Sequence, residues 1–271
     1  MRTLHVSLFV VLALAGCGSD AKPAPAPAPK PIEQPVARPR CSAPMVLIPE
    51  GSAREFCLDP TEVTVVEYAR CVNAAACTPP NAYDKSERDR FRAFCNWQNP
   101  EARDQHPVNC LTFSQAGQFC AWRGARLPTD SEFGAAAGNG GRTRYPWGDQ
   151  DPDATRTNGC GSECPKEVLR LTGNPEFVAQ YANADGAVGT AAVGSYPHGD
   201  NQWGVHDLAG NVAEFVVPLL AAKSSGDLTA GGGCFTQEAR FMAAREPVRT
   251  AWSGARSADL GFRCARDARL P

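Results

Sequence analysis

Twelve cysteines carry most of the reactive chemistry open to this 271-residue sequence. A thiol can close a disulfide, bind a soft metal, attack as a thiolate or accept a lipid. Cys17 ends Leu14-Ala15-Gly16-Cys17, the pattern of a lipobox, in which small residues precede a cysteine that becomes diacylated. Beyond it stand Cys41, Cys57, Cys71, Cys77, Cys95, Cys110, Cys120, Cys160, Cys164, Cys234 and Cys264. That number is odd, so a monomer cannot place every one of them in internal disulfides. Cys160-Gly-Ser-Glu-Cys164 has the look of half a zinc site, but no second pair and no neighbouring histidine pair completes it.

Cys17 fixes the reading of what precedes it. Arg2 supplies a positive start, and His5 to Leu14 is a short, nearly apolar run. A helix needs about 20 residues to span a ~30 Å hydrocarbon core, so the run fits a signal peptide better than a membrane span. Residues 1–16 are therefore predicted to be a lipoprotein signal peptide. Dual acylation at Cys17 would anchor the chain stably. Gly18 stands where many inner-membrane lipoproteins carry Asp, which points to the outer membrane. Residues 17–40 form the lipidated end of a Pro/Ala-rich tether, a composition that favours extended polyproline II. The net charge of −2 offers nucleic acid no electrostatic handle.

Residues 41–271 are long enough for one domain with a real core. Its elements are short. Thr64 and Glu67 make a capping box ahead of Tyr68 to Val72, and Thr129 and Glu132 make another ahead of Phe133 to Ala137. Between them Ser114 is read as the cap of a helix over Gln115 to Arg123, stopped by Gly124. Strands are expected at Met45 to Ile48, Val212 to Leu220 and Gly261 to Cys264. The result is an α+β domain dominated by loops, in which disulfides and bound ions must replace missing regular hydrogen bonding.

Several segments then carry a resemblance. Met45-Val46-Leu47-Ile48-Pro49, Glu62-Val63-Thr64, His106-Pro107-Val108, Phe119 through Phe133, Tyr145-Pro146-Trp147-Gly148, Gly204 through Phe215 and Gly261-Phe262-Arg263-Cys264 occur in this order. They resemble the formylglycine-generating enzymes of the sulfatase-modifying-factor family across Cys41 to Asp267. The resemblance implies a C-type-lectin-like fold: short helices and loops around a twisted antiparallel sheet. It also implies a Cys120–Cys264 disulfide. The remaining pairs are set down as Cys71–Cys77, Cys95–Cys110, Cys160–Cys164 and Cys41–Cys57, with Cys234 left over.

The family's oxidases hold copper(I) on two thiolates within Gly-Gly-Ser-x-x-Cys-x-x-x-x-Cys, a soft donor pair for a soft ion. By that resemblance the two cysteine positions here hold Thr236 and Phe241, and the serine position holds Gly233. Ala213 replaces the tryptophan of Gly-Asn-x-Trp-Glu-Trp. Copper is therefore not expected, and no catalytic residue is assigned. An iron enzyme is disfavoured as well, because His106, His198 and His206 show no His-x-x-x-His spacing.

Calcium is expected instead, as a structural ion. The resemblance carries one ligand set onto Asp207, the carbonyls of Gly210 and Val212, and Glu214, and a second onto Asn158, Gly159, Asp185 and Ala187. Carboxylates and carbonyls suit a hard cation. Together these readings give a non-catalytic envelope lipoprotein whose domain binds an unknown envelope protein or glycan. The alternative is a formylglycine-generating or divergent thiol-dependent oxidase centred on Cys234.

Overall fold

The computed structural model describes residues 40–49, 55–80, 92–218, 227–244, 249–252 and 256–268. The predicted signal peptide, Cys17 and the tether lie outside them. Among the described residues, no helix is long and apolar enough to cross a membrane.

Among the described residues four α-helices and seven strands, all short, are linked by long turns: α1 (Val65–Asn73), α2 (Phe113–Trp122), α3 (Asp130–Ala137), α4 (Cys164–Thr172), β1 (Val46–Ile48), β2 (Phe56–Leu58), β3 (Ala213–Val216), β4 (Asp227–Gly231), β5 (Arg249–Trp252), β6 (Leu260–Gly261) and β7 (Ala265–Asp267). The α+β, loop-rich class holds. The strands form two small sheets, ordered β1-β2-β7 and β5-β4-β3-β6. The first is wholly antiparallel. In the second, β3 and β6 run parallel through Ala213↔Leu260 and Glu214↔Gly261, an addition to the expected antiparallel pattern.

Three helices begin where a side chain satisfies the first free amides. Thr64 with Glu67 caps α1, and Thr129 with Glu132 caps α3. At α2 the cap is Thr112 with Gln115, not Ser114. The reason is reach: a hydroxyl bonds the amide three residues on, and Gln115 returns its side chain to the Thr112 amide at 2.9 Å. Helix α4 was not anticipated. Pro165 pre-sets its first turn, and Gly173 closes it in the left-handed conformation with its amide bonded to Leu169 O. The expected strand at Val212 to Leu220 is regular only over Ala213–Val216, and residues 219–220 fall outside the description.

The core is aromatic and cross-linked. Tyr68, Phe119 and Phe262, each fully buried, pack with ring centroids 5.5 to 6.4 Å apart. Five disulfides join Cys41–Cys57, Cys71–Cys77, Cys95–Cys110, Cys120–Cys264 and Cys160–Cys164. Cys120–Cys264 closes a sequence separation of 144 residues. In the chain-entropy model a loop of that size stabilises the native state by about 5 kcal/mol. Cys234, in none of the five, is buried.

Candidate functional site

Gly231 to Phe241 crosses the region where the resemblance implies oxidase chemistry. Gly233 sits at φ +64°, and a Cβ there would lie 3.0 Å from Phe241 O, so a serine would meet both strain and backbone. Cys234 has no exposed surface. Its Sγ is 3.2 Å from Thr236 Oγ1 and 3.6 Å from Asp259 Oδ2. Thr236 Oγ1 donates to the same Asp259 oxygen at 2.7 Å. Phe241 lies under the Arg240 guanidinium, 4.7 Å from ring centroid to the charge. The two positions aligned with copper ligands thus present a hydroxyl already bonded to a carboxylate, and a hydrocarbon ring. Neither is a copper(I) donor.

A cleft of about 560 Å³ opens beside this segment, lined by Phe177, Val178, Gln180, Thr236 and Glu238 among others. Thr236 faces it, while Cys234 is not part of its wall. The cleft therefore exposes no thiol. Helix α4 and the chain after it lead into this wall and leave Leu169, Leu171 and Val178 exposed.

A second constellation surrounds Arg263, whose side chain is fully buried. Its Nε donates to Glu214 Oε2 and its Nη2 to Glu214 Oε1, each at 2.7 Å. The guanidinium also reaches Asp59 O at 3.3 Å and His206 O at 2.9 Å. Asp207 and Glu62 are buried in the same charged neighbourhood. Asp207 Oδ2 accepts from the Gly194 amide, and Glu62 Oε1 accepts from Asn211 Nδ2. Glu62 Oε2 has no hydrogen-bond partner.

Burial drives the electrostatics here. It raises the Glu62 carboxyl well above its usual range, with repulsion from Asp207 adding to it. Burial also raises Asp207 and Glu214, against the attraction of Arg263. One guanidinium faces three carboxylates, so protons or a cation must supply the remaining positive charge. The backbone is held tightly around this cluster. Asp207 and Asn211 take φ values of 53° and 56°, and a Cβ on Gly210 would sit 2.0 Å from Thr157 Oγ1.

These observations bear on the first predicted calcium set, Asp207, Gly210, Val212 and Glu214. The charge count and the orphaned Glu62 oxygen fit a hard cation. Glu214, however, is committed to Arg263 through both oxygens, so only a second lone pair on each remains for an ion. Glu62 is the better placed donor, and sequence reading used it only as part of a family marker. Among the described residues no group of three or more His, Cys, Asp or Glu side chains forms a ready cage, so backbone carbonyls would have to complete the shell.

The second set is centred on Asp185. Its Oδ2 accepts from Tyr181 Oη at 2.5 Å and from the Gly159 amide at 3.2 Å, and its Oδ1 accepts from the Ala187 amide. Asn158 Oδ1 is buried without a partner, and so is Glu163 Oε2. Burial raises the Asp185 carboxyl, and Glu163 beside it raises it further. Two orphaned buried oxygens near a carboxylate again suit a hard cation. Glu163, inside the Cys160–Cys164 loop, was not singled out in the sequence. An acidic residue locked in so short a disulfide loop was the available signal.

Arg263→Met tests the charge cluster. Removing one partner of a buried ion pair leaves a stranded carboxylate and costs about 3–5 kcal/mol. The expected result is a large fall in the urea midpoint, substantially recovered in Arg263→Met/Glu214→Gln. A single variant as stable as the parent would mean that Glu214 is held by something else.

The model of the sulfatase-modifying factor enzyme 1-like domain matches residues 45–268. The inactive C-alpha-formylglycine-generating enzyme 2 of Mus musculus is 32% identical over 170 residues, covering 61% of this chain and 50% of that protein. The formylglycine-generating enzyme of Mycobacterium tuberculosis is 32% identical over 126 residues, covering 44% of this chain and 38% of that protein. The chain spans about half the length of the curated relatives it matches. In structure it is similar to PvdO from Pseudomonas aeruginosa, with a TM-score of 0.55, 19% identity and coverage of 79% of this chain and 81% of that one. That likeness speaks to fold alone.

Proposed function

The chain belongs to the sulfatase-modifying-factor family, and we propose that it is a non-catalytic member, a calcium-stabilised binding or structural domain held at the cell envelope by a lipid on Cys17. The observation that carries this reading is the Thr236–Asp259 hydrogen bond beside Phe241, in the place of a thiolate pair. Similarity to a relative named as inactive supports it. The partner is an envelope protein or glycan rather than nucleic acid, and the outer membrane is the address that Gly18 favours. Formylglycine formation needs two soft donors and an approach for a substrate cysteine. A hydroxyl binds copper(I) far more weakly than a thiolate does, and Cys234 is sealed from the cleft.

Copper-loaded protein incubated in oxygen with a Cys-x-Pro-x-Arg peptide should leave the peptide mass unchanged. Copper-dependent aldehyde at the peptide cysteine would overturn the non-catalytic reading and return attention to Cys234.

Calcium bound only by the native state stabilises it by mass action. Chelator should therefore lower Tm, calcium should restore it, and Asp207→Ala should remove most of that response. A melting curve indifferent to chelator would dispose of both sites.

Anchoring rests on Cys17, so Cys17→Ser should abolish palmitate labelling and release the chain from the membrane fraction. Retention of label and membrane association in the variant would refute it.

A further inference from the structure

A second cavity, of about 450 Å³, has Asp185 and Ala187 of the second predicted calcium set in its wall, and its remaining lining is used by none of the readings above. Arg103, His106, Thr190, Ser195 and Tyr196 line it, together with backbone from 186 to 192. Its volume is within the range of small-molecule sites, roughly 300–1,000 Å³. Its wall combines hydroxyls, an imidazole, small residues of the 186–192 stretch, one guanidinium and the Asp185 carboxylate.

Arg103 is the anomaly in that wall. Its guanidinium is half-buried, yet it donates to the neutral Asn96 Oδ1 at 3.3 Å and Thr190 Oγ1 at 3.4 Å. Both contacts are long. Three other half-buried or buried arginines are met by a carboxylate: Arg123 by Asp59, Arg126 by Glu132, and Arg263 by Glu214. Among the described residues Arg103 has no ion-pair partner, and burial weakens its hold on its proton with no carboxylate to offset that. A planar fork of N–H donors held at the edge of a cavity, and short of an anion, is matched by a carboxylate.

The surroundings narrow the ligand. His106 is held neutral at ordinary pH, its pKa lowered to about 4 by burial and by Arg103, and its Nδ1 is 3.0 Å from Thr190 Oγ1. It adds no second positive charge. Asp104 is exposed next to Arg103, and Asp185 lines the cavity with its oxygens turned to Tyr181 Oη and the Gly159 and Ala187 amides. One cation among these acids tolerates a single negative charge far better than the double charge of a phosphate monoester. The hydroxyls of Ser195 and Tyr196 donate to Ala192 O and Asp185 O, which leaves their oxygens to accept from a ligand's hydroxyls, while Thr190 is taken up by Asn96, Arg103 and His106.

We propose that the Arg103 cavity binds a small hydroxylated carboxylate, an acidic sugar such as a hexuronate, with the carboxylate on the guanidinium and the sugar hydroxyls donating to Ser195 and Tyr196. The inference goes beyond the non-catalytic reading and does not use the Thr236 cleft; because Asp185 and Ala187 of the second calcium set share the wall, calcium is held constant in its test.

The test is calorimetric titration of the purified full chain, held at constant calcium, with D-glucuronate and with D-glucose as the uncharged control. Saturable glucuronate binding is expected, with glucose weaker by on the order of tenfold, the worth of one charge-assisted hydrogen-bonded contact. Arg103→Gln should weaken glucuronate by a similar factor, and Arg103→Lys should retain part of the affinity. Ser195→Asp, at an exposed rim position, should repel the anion while leaving Arg103 in place. Melting curves identify any variant that fails to fold, and Ser195→Asp then decides the matter alone. The proposal is overturned if glucuronate does not bind, if glucose binds equally well, or if folded variants bind glucuronate as tightly as the parent.

Discussion

Arg263 is buried beyond the reach of water, so its planar donors depend on protein partners. Four of the five go to both oxygens of Glu214 and to the carbonyls of Asp59 and His206. Three distant stretches of chain therefore converge on one guanidinium. Around it, Asp59 binds the Cys264 amide with its carboxylate and takes a two-pronged contact from Arg123. The Asp59 amide donates to Cys264 O, and the Val63 amide donates to Phe262 O. The Cys120–Cys264 bond then ties α2 to the same point. A stranded charge at this depth costs far more than an ordinary hydrogen bond, so the arrangement is stable only when every contact forms together.

That cooperativity explains how a domain with so little regular structure holds one shape. Its strands are two to five residues long, too short to be stable by pairing alone. The long turns need other anchors, and side-chain amides provide several. Asn109 binds both Phe94 O and Ala258 O, Asn211 binds Glu62, and Asn158 binds Gly189 O and Asn211. Disulfides lower the entropy of the unfolded chain at five further points. What such a scaffold leaves over is surplus negative charge around Glu62 and Asp207 and around Asp185 and Glu163. A divalent cation would relieve it at either place.

The segment beside the Thr236 cleft is set by its backbone. At Gly232 and Gly233 positive φ and close approach to Leu208 and Phe241 exclude larger residues. Thr236, at one position the family resemblance matches to a thiolate, donates its hydroxyl to Asp259. A hydroxyl so held is a hard donor, and donor type is what copper(I) selects.

The sequence by itself determined the elements whose signals are local. Capping boxes at Thr64 and Thr129 located α1 and α3, because cap and partner lie three residues apart. The ordered motifs established the family, and the replacements at Thr236 and Phe241 were legible directly. The α2 cap was misplaced by two residues, since Thr112 and Ser114 both resemble caps and only the Gln115 return bond distinguishes them. Tertiary structure decided what depends on distant partners. It gave Glu214 to Arg263, 49 residues on, and left oxygens of Glu62 and Glu163 without partners. It also sealed Cys234 from the cleft and left Arg103 without a carboxylate among the described residues. Desolvation sets the chemistry of each of these groups, and it depends on what the rest of the chain places around them, which residue type and spacing do not encode.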